Sequence, residues 1–165
     1  MLASSVLAKP ASGLKPPKTL LRAAGAAIAD FAMIRPGDRV LLGLSGGKDS
    51  LSLLHVLRHL RDKAPVRFEL GAATVDPSIE GFDPSFLQDY LPGLGVPYFY
   101  RRQDIVGRAL KTMRGGSFCA YCSRMRRGIL YATAREQGYN VLALAHHLDD
   151  LAETFLMSAF HGGQL

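Results

Sequence analysis

Apolar positions along this chain alternate between two rhythms. Residues 18–33 repeat at helical spacing, with Leu21, Ala24, Ile28 and Phe31 on one stripe, until Pro36-Gly37-Asp38 ends the run. Arg39 to Leu44 is a short, nearly continuous apolar segment and predicts a strand. Ser50 to Arg61 returns to helical spacing: Leu51, Leu53, Leu54, Leu57 and Leu60 make a broad apolar face, opposite His55, Arg58, His59 and Asp62. The two histidines have a spacing that could bind a metal, but among charges on the polar face they read as solvated surface. Phe68 to Val75 predicts a strand buried on both faces, closed by Asp76-Pro77. A helix over 84–94, a strand over 96–101 and a helix over 105–113 follow, the last broken by Gly115-Gly116. Residues 121–137 predict a helix with Met125, Ile129, Leu130 and Ala134 inward, then come a strand over 140–145 and a helix over 149–160.

Strands alternating with helices predict an α/β fold: a parallel sheet with helices on both faces. In such sheets ligands sit beyond the carboxyl ends of the strands. Three unusual runs fall there: the Gly-rich loop after the first strand, Asp76 after the second, and His146-His147-Leu148-Asp149-Asp150 after the fourth.

Size narrows the picture: 165 residues with 48% apolar content suit one soluble domain with a sizeable core. Every apolar stretch is interrupted before the roughly 18 residues that a bilayer span needs, which excludes a membrane-embedded protein. Residues 1–17 carry Lys9 and Lys15, no acid, and Pro10, Pro16 and Pro17; they read as a flexible basic arm rather than a targeting segment, leaving 18–165 as the folded domain. The net charge is +6, unevenly spread. Residues 68–100 hold five acids and no Lys or Arg, whereas 101–127 hold eight basic residues against the single acid Asp104. Such a block is an electrostatic footprint for a polyanion.

The run Leu44-Ser45-Gly46-Gly47-Lys48-Asp49-Ser50 reads as a phosphate cradle. Ser45, Gly46 and Gly47 have little side chain to block a ligand, so backbone N–H groups can converge on an anion where a helix begins, and Lys48 adds a mobile positive charge. A Walker A loop wants four residues between its glycines and Ser or Thr directly after the lysine. Here three separate Gly43 from Gly47, and Asp49 intervenes before Ser50. A carboxylate there makes sense if it helps to hold Mg²⁺ arriving with a nucleotide.

Cys119 and Cys122 are the chain's two cysteines. Thiolates three residues apart can grip one metal or one cluster edge; half a zinc site and a redox dithiol are the rival readings, and zinc or an iron–sulfur cluster would need further ligands. In the run at 146–150, Asp150 and Glu153 have capping-box spacing. Its two histidines and two carboxylates, beside a nucleotide loop, can also orient Mg²⁺ and reacting groups, with Asp149 the candidate metal ligand.

Taken together and in this order, the loop at 45–50, Cys119-x-x-Cys122-Ser123-Arg124-Met125-Arg126-Arg127-Gly128-Ile129-Leu130-Tyr131 and His146-His147-x-Asp149-Asp150 resemble the tRNA 2-thiocytidine synthetase family of PP-loop ATP pyrophosphatases. Ala27-Ile28-Ala29-Asp30-Phe31 and Pro36-Gly37-Asp38-Arg39-Val40 extend the likeness from about Lys18 to the last residue. The resemblance implies the PP-loop fold (adenine nucleotide alpha hydrolase-like) and a cytoplasmic, tRNA-binding enzyme. It further implies a two-stage reaction, in which ATP adenylates O2 of an anticodon-loop cytidine and sulfur then displaces AMP by way of a 4Fe-4S cluster held by three cysteines. It implies ATP contacts at Ser45, Gly46, Gly47, Lys48, Asp49, Ser50, Asp76 and His146, Mg²⁺ at Asp49 and Asp149, cluster ligation by Cys119 and Cys122, and catalytic roles for Asp49, Asp149 and Arg126. A sulfur donor such as a cysteine desulfurase, and a homodimer, are further implications. The family's third cluster cysteine lies downstream of the His-His run, so the expected domain is incomplete at its C-terminus. The missing ligand then comes from a further segment, a partner chain or an external group, or the chain carries no cluster and no thiolation activity. Other readings left open by the residues are a PP-loop enzyme activating another substrate and a non-catalytic ATP- or RNA-binding module.

Overall fold

The computed structural model describes residues 15–114 and 117–162. The basic arm up to residue 14, the Gly115-Gly116 break and residues 163–165 lie outside them. Its elements run α1 (Lys18–Asp30), β1 (Arg39–Gly43), α2 (Lys48–Lys63), β2 (Glu69–Asp76), α3 (Phe86–Gly93), β3 (Tyr98–Arg102), α4 (Ile105–Thr112), α5 (Phe118–Glu136), β4 (Val141–Leu144) and α6 (Leu148–Met157), with a π-helical turn at Ser158–Gly162.

The strands form one sheet in the order β3-β2-β1-β4. All pairings are parallel, with Leu41 opposite Gly71 on one side and Leu142 on the other. Alternation along each strand divides the core into two layers. Val40 and Leu42 of β1 and Leu70 and Ala72 of β2 meet Leu54 and Leu57 of α2 and Leu87 and Leu91 of α3. Leu41, Ala73 and Val75 point the other way, against Ile105 of α4 and Leu130 and Ala134 of α5. Tyr139 also belongs to this second layer, and its ring occupies the place where a side chain at Gly71 would stand. Phe99 meets that ring edge-on at 5.9 Å between centroids, and the Arg39 guanidinium lies 4.8 Å from its centre.

The chain winds from β1 through α2 and α3 to β3, then returns through α4 and α5 to set β4 on the opposite side of β1. The strand order therefore reverses between β1 and β4, and in an open parallel sheet that reversal leaves a crevice beyond the strand ends. Among the described residues, no helix is long and apolar enough to cross a membrane.

Several local expectations shift. α1 stops at Asp30 rather than Met33, in a Schellman-type turn: Met33 N–H donates to Ile28 O at 2.9 Å and Ala32 N–H to Ala29 O at 3.2 Å, with Ala32 at φ +48°. The turn throws Phe31 outward, 74% exposed, off the stripe assigned to it. α2 begins at Lys48, two residues early, because Gly47 takes the N-cap position. α5 begins at Phe118, since the Ser117 hydroxyl accepts from Ala120 N–H at 3.3 Å and caps the helix there. Both cysteines thus lie within its first five residues. His55 is half-buried rather than solvated: Tyr90 of α3 places its hydroxyl 2.7 Å from His55 Nε2.

Candidate nucleotide and thiolate site

The loop after β1 is held by its own hydroxyls. Leu44 N–H donates to Ala73 O at 2.8 Å and Thr74 Oγ1 donates to Leu44 O at 2.7 Å, which fastens the loop's first residue to β2. Gly46 then takes φ +84°, a conformation that disfavours any side chain. Buried Ser50 donates from Oγ to Gly47 O at 2.9 Å and lies 3.1 Å from the Ser45 hydroxyl, while Gly47 N–H donates to Ser45 Oγ at 3.3 Å. The two serines thereby brace the turn, and Lys48 and Asp49 are left exposed at the head of α2. Gly47 brings no capping side chain, so the positive end of the helix is open to an anion.

This loop forms one end of a cavity of about 310 Å³ at the β1/β4 reversal. Ser45, Gly47, Asp49 and Ser50 line it from below; Leu144, Ala145 and His146 close the β4 side; Ala73, Val75 and Phe82 close the β2 side. Over the top lie Ser123, Arg126, Arg127 and Leu130 of α5, whose three- and four-residue spacing is one helical stripe. A volume of this order suits a small ligand, with apolar walls on one part and converging polar groups on another.

Cys119 and Cys122 continue that stripe towards the start of α5. Cys122 is half-buried against the second core layer with Tyr121 and Met125, whereas Cys119 is exposed. At 1.5 Å rise per residue, Cys122 stands roughly 6 Å along the axis from Arg126, about one turn away. Among the described residues no group of three His, Cys, Asp or Glu side chains is arranged to hold a metal ion. Two thiols on one helical turn fit two corners of an iron–sulfur cluster, and the remaining ligand is not among the described residues.

Asp76 is 6% exposed and does not line the cavity. Its carboxylate accepts from Ser78 N–H at 2.7 Å and from the Tyr100 hydroxyl, with Arg102 Nε at 3.7 Å. Accepting that hydrogen bond from Tyr100 raises the phenol's pKa above its ordinary value, burial adding to the shift. Arg102 also donates to Ser78 Oγ at 3.2 Å, and Arg101 lies 3.2 Å from Glu136. Two residues of the basic block are therefore engaged in internal ion pairs. Arg126 and Arg127 face the cavity, and Arg108, Lys111, Arg114 and Arg124 are exposed.

His146 reaches the cavity, but Asp149 does not. Asp149 lies on the exposed first turn of α6, 3.7 Å from His147 Nδ1. The capping pair sits three residues earlier than its spacing with Glu153 indicated: His147 is the N-cap, and its N–H donates to Asp150 Oδ2 at 2.8 Å. Sequence reasoning missed Ser123, Arg127 and Phe82 as cavity residues. The first two could have been found from the helical stripe through Arg126 and Leu130; Phe82, in a loop, carried no periodic signal.

A strand–Gly-rich loop–helix unit at the reversal of a parallel sheet, with Asp49 in the first turn of the helix, defines a nucleotide-binding α/β domain of the PP-loop class. The PP-loop domain family matches residues 20–165, and the chain belongs to it. It is 46% identical over 168 residues to the tRNA-cytidine(32) 2-sulfurtransferase of Xylella fastidiosa strain M23, covering 98% of this chain and 56% of that protein. It is 48% identical to the protein of that name from Stenotrophomonas maltophilia, over 90% of this chain and 49% of the relative. The chain therefore spans about half the length of the curated relatives it matches. Among solved structures, the U34-tRNA thiolase NcsA of Methanococcus maripaludis with its [4Fe-4S] cluster superposes with a TM-score of 0.71 at 26% identity, covering 87% of this chain and 49% of that one. An NH3-dependent NAD synthetase from Campylobacter jejuni shares the fold, with a TM-score of 0.58 at 18% identity over 81% of this chain and 58% of that one.

Proposed function

We propose that this chain carries the ATP-binding and thiolate-bearing part of an enzyme of tRNA thiolation, which forms 2-thiocytidine in the anticodon loop. The observation that carries this reading is α5: one stripe bears Cys119 and Cys122 at its start and delivers Ser123, Arg126 and Arg127 to the nucleotide cavity. The likeness to tRNA-cytidine(32) 2-sulfurtransferases over most of the chain supports it.

In this mechanism ATP lies with its β and γ phosphates on the loop from Ser45 to Ser50. Backbone N–H groups and Lys48 hold the pyrophosphate that departs when cytidine O2 attacks the α phosphorus; the O2–phosphorus bond forms as the bond to the pyrophosphate oxygen breaks. Asp49, on the cavity, would hold the Mg²⁺ that travels with the phosphates, and Asp149, on the exposed first turn of α6, is the second candidate ligand. Arg126 stabilises charge developing on the α phosphate, and His146 positions that group from the β4 side. Asp76 serves the nucleotide site through the turn that it holds. Cys119 and Cys122 would hold two corners of a 4Fe-4S cluster, which when bound supplies the site where sulfur is carried. Sulfur from a donor such as a cysteine desulfurase, brought to the sulfide level by a two-electron thiol reductant, attacks C2 of the adenylated cytidine. The C2–S bond forms as the C2–O2 bond breaks, AMP carries O2 away, and the enzyme works in the cytoplasm as a homodimer. Arg108, Lys111 and Arg124 hold the RNA backbone, so tRNA affinity falls steeply with salt.

Calorimetric titration with ATP, with and without Mg²⁺, tests the core of this reading. Binding is expected to require Mg²⁺ and to weaken about 10- to 100-fold in Lys48→Ala, as loss of a charge-assisted contact predicts. Anaerobic reconstitution with iron and sulfide should give a thiolate-to-iron absorption band that Cys119→Ser loses. Absence of any Mg²⁺-dependent ATP affinity would overturn the enzymatic reading.

A further inference from the structure

We infer that Phe82 is the platform on which the adenine ring of ATP stacks, presented by a turn that Asp76 anchors. The inference rests on the nucleotide reading above and extends it from the phosphates to the base. The sheet order gives the cavity a direction: the phosphate loop leaves β1, His146 follows β4 on one flank, and Ala73, Val75 and Phe82 belong to the β2 flank. That flank is apolar where the loop is polar, as a planar base at one end and a polyphosphate at the other require. Among the described residues lining the cavity, Phe82 is the only one with a benzene ring.

Phe82 lies on a connection bent by two left-handed residues, Ser78 at φ +59° and Gly81 at φ +82°. Such a conformation is unfavourable for serine and persists only where its surroundings impose it. Here the constraint is visible: Asp76 accepts from Ser78 N–H, Arg102 donates to Ser78 Oγ, and Tyr100 holds the other carboxylate oxygen. Phe82 N–H then donates to Ile79 O at 3.3 Å, closing the turn. A buried carboxylate committed to three neighbours is built to hold a loop, and the side chain this loop carries to the cavity is Phe82. Asp76 is thus a positioning residue.

Calorimetry in Mg²⁺ with two probes, ATP and inorganic tripolyphosphate, isolates the base. Phe82→Ala should weaken ATP about 5- to 100-fold, the range of base–aromatic stacking, and leave tripolyphosphate within about twofold. Phe82→Trp should restore ATP, and Asp76→Ala should lower the ATP-to-tripolyphosphate preference in the same sense. Unchanged ATP affinity in Phe82→Ala overturns the inference, including the case in which affinity for an anticodon stem-loop RNA falls instead. Equal weakening of both probes overturns it too, by reducing Phe82 to a packing residue. Wild-type protein that binds tripolyphosphate as tightly as ATP removes the base platform and leaves the phosphate loop standing; wild-type protein that binds neither removes the nucleotide reading itself.

Discussion

Two strand-to-helix junctions flank the cavity, and they are built in opposite ways. At the β1–α2 junction, Ser50 is buried, its hydroxyl is engaged on two sides, and the helix goes on to bury Leu54, Val56 and Leu57. At the β4–α6 junction, His147 and Asp150 cap the helix well, yet α6 buries no residue, and Leu148, Leu151 and Phe155 are exposed. Capping costs only local geometry, so either junction can form it; burial needs a second surface, which α2 finds against the sheet. A good helix start therefore says nothing about whether the helix is anchored. It also explains why Asp49 lies on the cavity and Asp149 does not.

The largest test of this contrast is a matched pair of truncations. Leu54→Ala is expected to destabilise the fold by about 2–5 kcal/mol, from lost burial plus a cavity. Leu151→Ala should change stability by less than about 0.5 kcal/mol, as exposed substitutions do. Urea unfolding of both variants decides the matter, and a comparable loss in Leu151→Ala would break the comparison.

A second pair probes the turns themselves. Ser50→Ala should cost about 1–3 kcal/mol, because it removes the buried hydroxyl on which Ser45 and Gly47 depend, and Mg²⁺·ATP affinity should fall with it. Asp150→Ala removes a cap at an exposed helix end and should cost about 1 kcal/mol or less, with no loss of nucleotide affinity. Thermal unfolding combined with calorimetry separates the two outcomes.

The smallest effect sharpens the comparison through pH. Burial, with the neighbouring Arg58 charge second, lowers the pKa of His55 on α2 from its ordinary 6.5. Below that ordinary value the unfolded chain binds a proton that the folded protein resists. Stability should therefore fall as pH drops through 6.5 and level off below the folded pKa. His55→Gln should flatten this limb in urea midpoints measured from pH 7.5 to 5. A limb that persists unchanged would assign it to another group.

Much of the fold was legible because its cues are local. The alternation of apolar runs and helical stripes, the Gly-Asp turn after α1 and the Gly-rich loop each depend on residues within a few positions of one another. Cys119, Cys122 and Arg126 could be placed near a common helix for the same reason. What went astray lacked a recognisable local cue or depended on distant residues. Phe31 turned outward because the chain closed a Schellman turn at Ala32, a residue that rarely adopts the left-handed conformation. His55 left the solvent only because Tyr90 arrived from α3.

The α/β class, a Gly-rich loop at a strand end, two thiols near a run of arginines and a histidine pair after the last strand could all be read from the chain by itself. Those properties follow from side-chain chemistry and short-range backbone preference. Tertiary structure decided which of these groups meet. The reversal of strand order between β1 and β4 opens the crevice, α5 lays Arg126 and Arg127 across it, and Asp76 is drawn out of the cavity to hold the turn bearing Phe82. Such meetings depend on how sheet and helices pack over long sequence separations, and no local pattern encodes them.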